Sequence, residues 1–204
     1  GAPVTFDGRS IFPVVQETTT RDESYISITH EDFRTPLLLP DVLPNAVETE
    51  HFVDWNGAPY ATVWTRPAGT EAARPPFVER SAEIGDGIRL WGYDAQPAQL
   101  HAGDILYVQL HWLVDAAPTG DWTVYVHLRD PASPNAPPLA GQDGKPGGGS
   151  LPTLRWQPGW RVLDEYQIAL PADLSAGRYE ISAGMYDEAG AQLNPVTLGE
   201  VIIE

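Results

Sequence analysis

Two neighbouring segments of the chain alternate between apolar and polar side chains. Apolar residues hold every second position of residues 106–114 and again of residues 122–128, and most positions between them carry a polar group. Because side chains alternate across a β-strand with a period of two, each segment predicts a strand with one buried and one wetter face. The pattern therefore predicts strands at residues 105–114 and 122–129.

The C-terminal part of the chain continues in the same way. Further predicted strands cover residues 88–93, 162–170, 178–186 and 196–203, with a short one near 139–142. Gly and Pro fall between these runs, and no segment shows the period of a helix. Short strands separated by turn residues are typical of two packed antiparallel sheets. Residues 81–204 are therefore predicted to form an antiparallel β-sandwich, immunoglobulin-like or jelly-roll-like.

Residues 1–80 are predicted to form a small mixed α/β or β-rich segment. Its predicted elements are strands at residues 11–15, 25–29, 47–53 and 60–64, a short helix at 30–34 and a proline-containing linker at 66–76. Thr29 is a suitable N-cap for that helix, which Pro36 and Pro40 are expected to limit. Asn56 and Gly57 mark the turn between the last two strands.

The segment from Pro171 to Tyr179 predicts a tyrosine corner. It leaves one strand, turns through Asp173 and Gly177, and enters the next strand at Tyr179. In such a corner the tyrosine hydroxyl returns to the backbone a few residues upstream. The alternative is that Tyr179 is an ordinary aromatic residue of the strand.

Composition excludes several classes of function. A hydrophobic fraction of 42% predicts a folded domain, and the formal net charge of −16 opposes a nucleic-acid partner. The chain has no cysteine, which excludes disulfides and thiolate chemistry. No apolar run approaches the roughly 20 residues of a membrane-spanning helix. Because the sequence begins Gly-Ala-Pro, we expect processing upstream, and any membrane tether would lie outside this sequence.

The polar sides of the two alternating strands are the first candidate site. If the strands pair as a hairpin across residues 115–121, one face would gather Tyr107, Gln109, His111, Tyr125, His127 and Arg129. Sugar C–H faces stack on aromatic rings while their hydroxyls take hydrogen bonds, so this face predicts a carbohydrate partner. Alternatively, the face meets water or packs under the N-terminal segment. In an immunoglobulin-like path the two strands would lie in different sheets.

Trp156 and Trp160 bracket a Pro-Gly turn and form a second candidate. Two indoles in a loop could bind a ligand, with Trp156 as a contact, or they could plug the end of the sandwich. Asp143 lies in the glycine-rich stretch 141–149, which predicts a loop. It is a further candidate ligand contact.

Asp164 shares the parity of the apolar positions in its strand, so its carboxylate should point inwards. A buried carboxylate needs hydrogen bonds or a charge partner, here Arg155, Arg161 or backbone amides of the preceding loop. Asp143 and Asp164 could also form a calcium site or a carboxylate pair, but a structural latch is the favoured interpretation of Asp164. Motifs for a serine nucleophile, a zinc protease, a phosphate loop and an EF-hand are missing. We therefore expect no catalytic residue, metal or cofactor.

Several segments, taken in order, resemble a known family. They are Ile-Arg-Leu-Trp-Gly-Tyr at 88–93, Ala-Gly-Asp at 102–104, Leu-His-Trp at 110–112, Val-Tyr-Val-His-Leu at 124–128, Gln-Asp-Gly-Lys-Pro at 142–146, Trp-Gln-Pro-Gly at 156–159, Asp-Glu-Tyr at 164–166, Ala-Gly-Arg-Tyr at 176–179 and Gly-Met-Tyr-Asp at 184–187. Over residues 84–204 this series resembles the soluble C-terminal β-sandwich of bacterial multi-spanning membrane glycosyltransferases, those similar to dolichyl-phosphate-mannose protein mannosyltransferases. Residues 1–80 resemble the segment that links the last membrane helix to that sandwich.

The resemblance implies a domain on the outer face of the membrane. In such enzymes the catalytic acids lie between membrane helices, none of which this sequence contains, so no catalytic residue is carried over. The sequence therefore predicts a noncatalytic extracytoplasmic accessory domain of a membrane glycosyltransferase that binds carbohydrate or positions the acceptor. A structural or protein-interaction sandwich of a secreted or surface protein is the second hypothesis. A secreted glycoside hydrolase, which would need two carboxylates facing one cleft, is the third.

Overall fold

The computed structural model describes residues 4–15, 20–28, 32, 34–70 and 74–204. The strands in this part of the chain are β1 (Ile11–Val15), β2 (Glu23–Ser27), β3 (Val47–Val53), β4 (Pro59–Arg66), β5 (Val78–Gly85), β6 (Ile88–Gln96), β7 (Ile105–Val114), β8 (Thr123–Arg129), β9 (Ala140–Gly144), β10 (Trp160–Ala169), β11 (Gly177–Tyr186) and β12 (Val196–Ile203). One α-helix, α1, covers Thr35–Val42, and 3-10 turns cover Pro146–Gly149 and Thr153–Arg155. None of the described helices is long and apolar enough to cross a bilayer.

Two antiparallel sheets form a β-sandwich, as the sequence predicts. The back sheet has the order β1-β10-β7-β6-β5, and the front sheet has the order β12-β11-β8-β9. From β7 to β12 the chain passes between the two sheets in the same order as strands B, C, C′, E, F and G of the immunoglobulin fold. In this path β6 takes the place of strand A and β1 that of strand D. The connectivity is therefore immunoglobulin-like rather than jelly-roll-like.

The core lies between the inward faces of the two sheets. Trp112, Val126 and Ile181 are at most 1% exposed and belong to one apolar cluster. Other members of the cluster are Leu106, Val108, Leu110, Val124, Leu128, Ala183 and Met185. Full burial of a large apolar side chain contributes roughly 1.5–3 kcal/mol. The alternation that predicted the strands also identified this core, because nearly every inward position is apolar, Asp164 of β10 being an exception.

Of the two arrangements considered for β7 and β8, the structure has the immunoglobulin-like one with the strands in different sheets, and they do not form a hairpin. β7 pairs with β6 and β10 in the back sheet, whereas β8 pairs with β9 and β11 in the front sheet. The connection crosses the sandwich, and Asp86 in the β5–β6 turn anchors it. The Asp86 carboxylate accepts hydrogen bonds from the amides of Thr119 and Gly120 at 2.8 and 2.9 Å and from the Trp122 indole at 2.7 Å. These bonds fix the connection in its crossing path.

A third layer covers part of the back sheet. It consists of α1 and a small sheet of order β2-β4-β3, here called the N-terminal layer. Its contact with β1 and β10 is a separate apolar cluster that contains Phe12, Val14, Leu39, Val42, Leu43 and Leu163. The pairing of β1 with β10 crosses the predicted domain boundary at residue 80, which itself falls within β5.

The described helix of the N-terminal layer, α1, follows the segment in which the sequence predicts a helix. Most of the predicted helix, namely residues 30, 31 and 33 with its proposed cap Thr29, lies outside the described residues. Helix α1 contains both prolines that were expected to limit it. Pro36 is tolerated because the first helical turn has no intrahelical partner for its N–H. The helix tolerates Pro40 because Leu39 and Val42 are buried against β1 and β10.

Candidate functional site

A cleft of about 290 Å³ opens on the outer surface of the front sheet. The inward side chains of β8 are apolar, so the period of the strand turns its polar side chains outwards into this cleft. The lining residues are Tyr125, His127, Arg129, Asp143, Tyr186, Gly190 and Gln192. The cleft therefore combines aromatic rings with a carboxylate, an imidazole, an amide and a guanidinium.

Asp143 is the centre of the hydrogen bonding in the cleft. It lies on β9 and not in a loop, opposite Tyr125 of β8. Nε2 of His127 donates to Oδ1 of Asp143 at 2.7 Å, and the Tyr186 hydroxyl donates to Oδ2 at 3.0 Å. The carboxylate thus links β8 and β11 across the surface of the sheet. Its side chain remains 40% exposed and open to a ligand.

The rings of the cleft lie nearly parallel to one another. The centroid of Tyr125 is 4.6 Å from that of His127 and 6.4 Å from that of Tyr186, with interplanar angles of 27° and 29°. Two glycines make room for them. A Cβ at Gly184 would lie 2.4 Å from the Tyr125 hydroxyl oxygen, and a Cβ at Gly141 would lie 2.5 Å from Cδ2 of His127. Glycine at these positions leaves the space that the two stacked rings occupy beside the backbone of the sheet.

Both tyrosines of the cleft stay protonated near neutral pH. Burial raises the pKa of Tyr186, and the hydrogen bond to Asp143 and its charge raise it further. Burial also raises the pKa of Tyr125; Arg129 opposes this increase and Asp143 adds to it. The hydroxyls are therefore neutral groups that can donate hydrogen bonds.

The structure divides the predicted polar face between the two sheets. Tyr125, His127 and Arg129 line the cleft, but the residues of β7 lie on the outer surface of the back sheet. Tyr107 is 38% exposed there, whereas Gln109 is partly covered by the N-terminal layer. The predicted single face is corrected accordingly, because β7 and β8 never pair.

His111 belongs to a buried cluster on the back sheet and is fully inaccessible. Its Nε2 lies 3.0 Å from Oδ2 of Asp94. The same oxygen accepts a hydrogen bond from Arg74 at 2.9 Å, and Oδ1 of Asp94 accepts from the Phe77 amide at 2.6 Å. Burial lowers the pKa of His111, and Asp94 only partly opposes this shift. For Asp94 burial raises the pKa, but the hydrogen bonds from His111 and Arg74 outweigh it and bring the pKa to about 2. The cluster holds residues 74–77 against the sheet.

Trp156 is part of the core and not a ligand platform. Its indole is 2% exposed and donates to the Leu151 carbonyl oxygen at 3.0 Å. Trp160 packs partly buried against the same core. An indole that is closed in by the end of the sandwich has no face left for a sugar, so the ligand role expected of Trp156 is corrected.

Asp164 is fully buried beside the glycine-rich loop. Its carboxylate accepts from the Gly147 amide at 3.0 Å and from the Tyr166 hydroxyl at 2.5 Å. Burial raises the pKa of Asp164 to about 7, against the lowering effect of these hydrogen bonds. The predicted partner Arg155 instead donates to the Ser150 carbonyl, and Arg161 stacks over Trp91. Asp164 thus has the contacts of a latch.

Two further predicted features have defined geometry. The Tyr179 hydroxyl donates to the Ser175 carbonyl oxygen at 2.8 Å, which is the arrangement of a tyrosine corner at the start of β11. Asp143 and Asp164 have different partners, one in the cleft and one in the core. Within the described part of the chain, no group of three or more His, Asp or Glu residues is placed to hold a metal ion.

The comparisons with known proteins are sparse. No family model matches the sequence, and no curated protein matches it. One solved structure with a similar fold is described as the crystal structure of the C-terminal domain of wzt. The two chains share 14% sequence identity with a TM-score of 0.45, over 64% of this chain and 81% of the other. A likeness at this level has no bearing on ligand or role.

Proposed function

We propose that this chain is a noncatalytic carbohydrate-binding domain and that the saccharide lies in the front-sheet cleft. The observation that carries the proposal is the cluster of stacked rings of Tyr125, His127 and Tyr186, whose polar groups surround the half-exposed carboxylate of Asp143. Sugars present apolar C–H faces and polar edges, and the cleft offers a counterpart to each.

The hydrogen bonds of Asp143 prepare it for sugar hydroxyls. An ionised carboxylate has about four acceptor sites, and His127 and Tyr186 take two of them. The remaining sites can accept from hydroxyl groups of a ligand. Because both oxygens are already held in place, little side-chain freedom is lost on binding, and this favours affinity.

The lining of the cleft argues against a glycosidase. Hydrolysis of a glycoside generally needs two carboxyl groups, about 5–10 Å apart, on either side of the scissile bond. Asp143 is the one carboxylate among the described residues that line the cleft. We therefore assign binding without turnover to this chain.

We assign the domain an extracytoplasmic accessory role beside a membrane glycosyltransferase. The support is the motif series of residues 84–204, together with the position of the cleft. The N-terminal layer covers the back sheet, whereas the cleft opens on the front sheet. A parent enzyme attached through the N-terminal layer would leave the cleft free for an acceptor glycan.

A protein-interaction role is the second candidate, and the β3–β4 hairpin favours it. Trp55 at its turn is 94% exposed, and Phe52 and Tyr60 are 49% and 46% exposed. Exposed aromatic side chains in one hairpin are typical of an interface. This role concerns a different surface and is compatible with the cleft binding a sugar.

Binding of defined trisaccharides to the full chain tests the proposal. The panel contains trimers of galactose, glucose and mannose and the corresponding uronic acids, measured by calorimetry. We expect millimolar or tighter binding of at least one trimer and about a tenfold loss in His127→Ala, because the variant removes a stacking ring and one support of Asp143.

His101→Ala is the matched control for that variant. His101 also lies beside a carboxylate, 3.4 Å from Asp104, but outside the cleft. The affinity of His101→Ala for the trisaccharide should equal that of the unmodified chain. Absence of saturable binding to every trimer at millimolar concentration, or equal losses in the two variants, would contradict the proposal.

A further inference from the structure

One end of the cleft carries a positive charge. Arg129 is the one Arg or Lys among the described lining residues, and it lies four residues along β8 from Tyr125. At about 3.3 Å per residue this places the two Cα atoms about 13 Å apart. Asp143 lies opposite Tyr125, so the positive charge of Arg129 and the negative charge of Asp143 are separated along the cleft.

The guanidinium of Arg129 retains hydrogen-bonding capacity. Nη1 donates to the Ala136 carbonyl oxygen at 3.1 Å, and a guanidinium has five N–H donors in all. In the described part of the chain no ion pair joins Arg129 to a carboxylate. Glu180 lies opposite Arg129 on β11, but its Oε1 accepts from the Thr197 hydroxyl on β12 at 3.3 Å. This bond directs the carboxylate of Glu180 away from Arg129.

The charge of Arg129 is opposite to that of the molecule. With 28 acidic and 12 basic residues the chain repels anions in general. An anionic ligand would therefore depend on a local cation. The planar guanidinium forms paired hydrogen bonds with carboxylates, a geometry that neutral hydroxyls do not match.

We infer that the cleft selects an acidic saccharide, whose carboxylate pairs with Arg129 while its ring packs on the exposed side of the aromatic cluster of Tyr125, His127 and Tyr186. The inference rests on the proposed carbohydrate binding and adds the class of sugar. Asp143 takes the hydroxyl groups at the neutral end of the ligand, and Arg129 takes the carboxylate at the other end.

The same trisaccharides test the inference, because each uronic acid trimer has a neutral counterpart of the same stereochemistry. We expect the best uronate to bind about tenfold more tightly than its neutral counterpart at low salt. In Arg129→Gln this preference should disappear, so that the uronate and the neutral trimer bind with about equal affinity. Arg178→Gln is the control, because Arg178 lies on β11 in an exposed pair with Glu200 and outside the cleft.

The outcomes separate the class of ligand from carbohydrate binding itself. A preference for the uronate that Arg129→Gln abolishes and Arg178→Gln keeps supports the inference. Neutral trimers that bind as well as uronates, or a preference that persists in Arg129→Gln, would overturn it and leave the proposed function intact. If no trimer of either kind binds, the proposed function fails as well.

Discussion

Single glycines decide whether the cleft exists at all. Gly184 and Gly141 leave the space that the stacked rings of Tyr125 and His127 occupy. The alternation of β8 predicted that both aromatic groups share a side of the strand, but the opposing glycines could not be assigned before the partner strands were known. The sequence therefore predicted the ring residues of the cleft without the reason for their orientation.

Gly184→Ala is expected to disrupt the cleft. The new Cβ would lie 2.4 Å from the Tyr125 hydroxyl and 2.6 Å from Cζ, so the ring must move. We expect a loss of stability of about 1–3 kcal/mol in urea unfolding, with loss of saccharide binding. Gly144→Ala on β9 is the control, because a Cβ there meets nothing within 4 Å. Equal effects of the two substitutions would refute this role of Gly184.

Asp164 should make stability depend on pH in an unusual direction. Its folded pKa of about 7 exceeds the ordinary value of 3.8. The folded protein then holds a proton that the unfolded chain has lost, so stability falls as pH rises from about 4 through 7. Asp164→Asn removes this term. Between pH 5 and pH 8 we expect the unmodified chain to lose on the order of 2 kcal/mol more than the variant in urea unfolding.

The change of unfolding free energy with pH can be compared between the two proteins even if Asp164→Asn alters the stability at every pH. An asparagine oxygen can still accept from one of the two donors, Gly147 or Tyr166. Identical pH dependence of the two proteins would show that Asp164 is ionised in the fold across this range.

At the scale of elements, strand existence was predictable and strand pairing was not. Strands β7 and β8 have the same alternation whether they face each other across the core or lie side by side. The choice depends on the connection between them, where Asp86 binds Thr119, Gly120 and Trp122 from more than 30 residues away. Such a long-range anchor leaves no periodic signal in the sequence.

Asp86→Asn tests the anchor. Asparagine tolerates the positive φ of 50° at this position but offers one acceptor oxygen where the carboxylate offers two. We expect a loss of about 1–2 kcal/mol in the free energy of unfolding. Asp54→Asn is the control, since among the described residues the Asp54 carboxylate accepts from amides of its own turn, those of Asn56 and Ala58. A larger cost for Asp54→Asn would contradict the importance of the crossing connection.

For the whole molecule, the sandwich was predictable and the layer outside it was only partly so. Inward positions such as Trp112 are apolar with the exception of Asp164, and this pattern predicted the core. The cover over the back sheet depends instead on contacts between distant segments, as when Leu39 of α1 meets Leu163 of β10. The sequence left open whether the face of His111 meets water or packs under the N-terminal segment, and in the structure His111 is buried beside Asp94 and Arg74.

The two outer surfaces of the sandwich therefore differ in how far they are covered by other parts of the chain. The back sheet is occupied by its own N-terminal layer and by residues 74–77, whereas the front sheet keeps an open cleft with stacked rings and a positioned carboxylate. A saccharide ligand should therefore bind on the front sheet alone.

The most direct measurement is an NMR titration of the ¹⁵N-labelled full chain with the tightest-binding trisaccharide of the panel. Amide signals of residues 125–129, 141–143 and 184–192 should shift in a saturable manner, while those of residues 107–111 on β7 stay in place. Shifts centred on the back sheet or on the β3–β4 hairpin, or no shifts at millimolar sugar, would contradict the account.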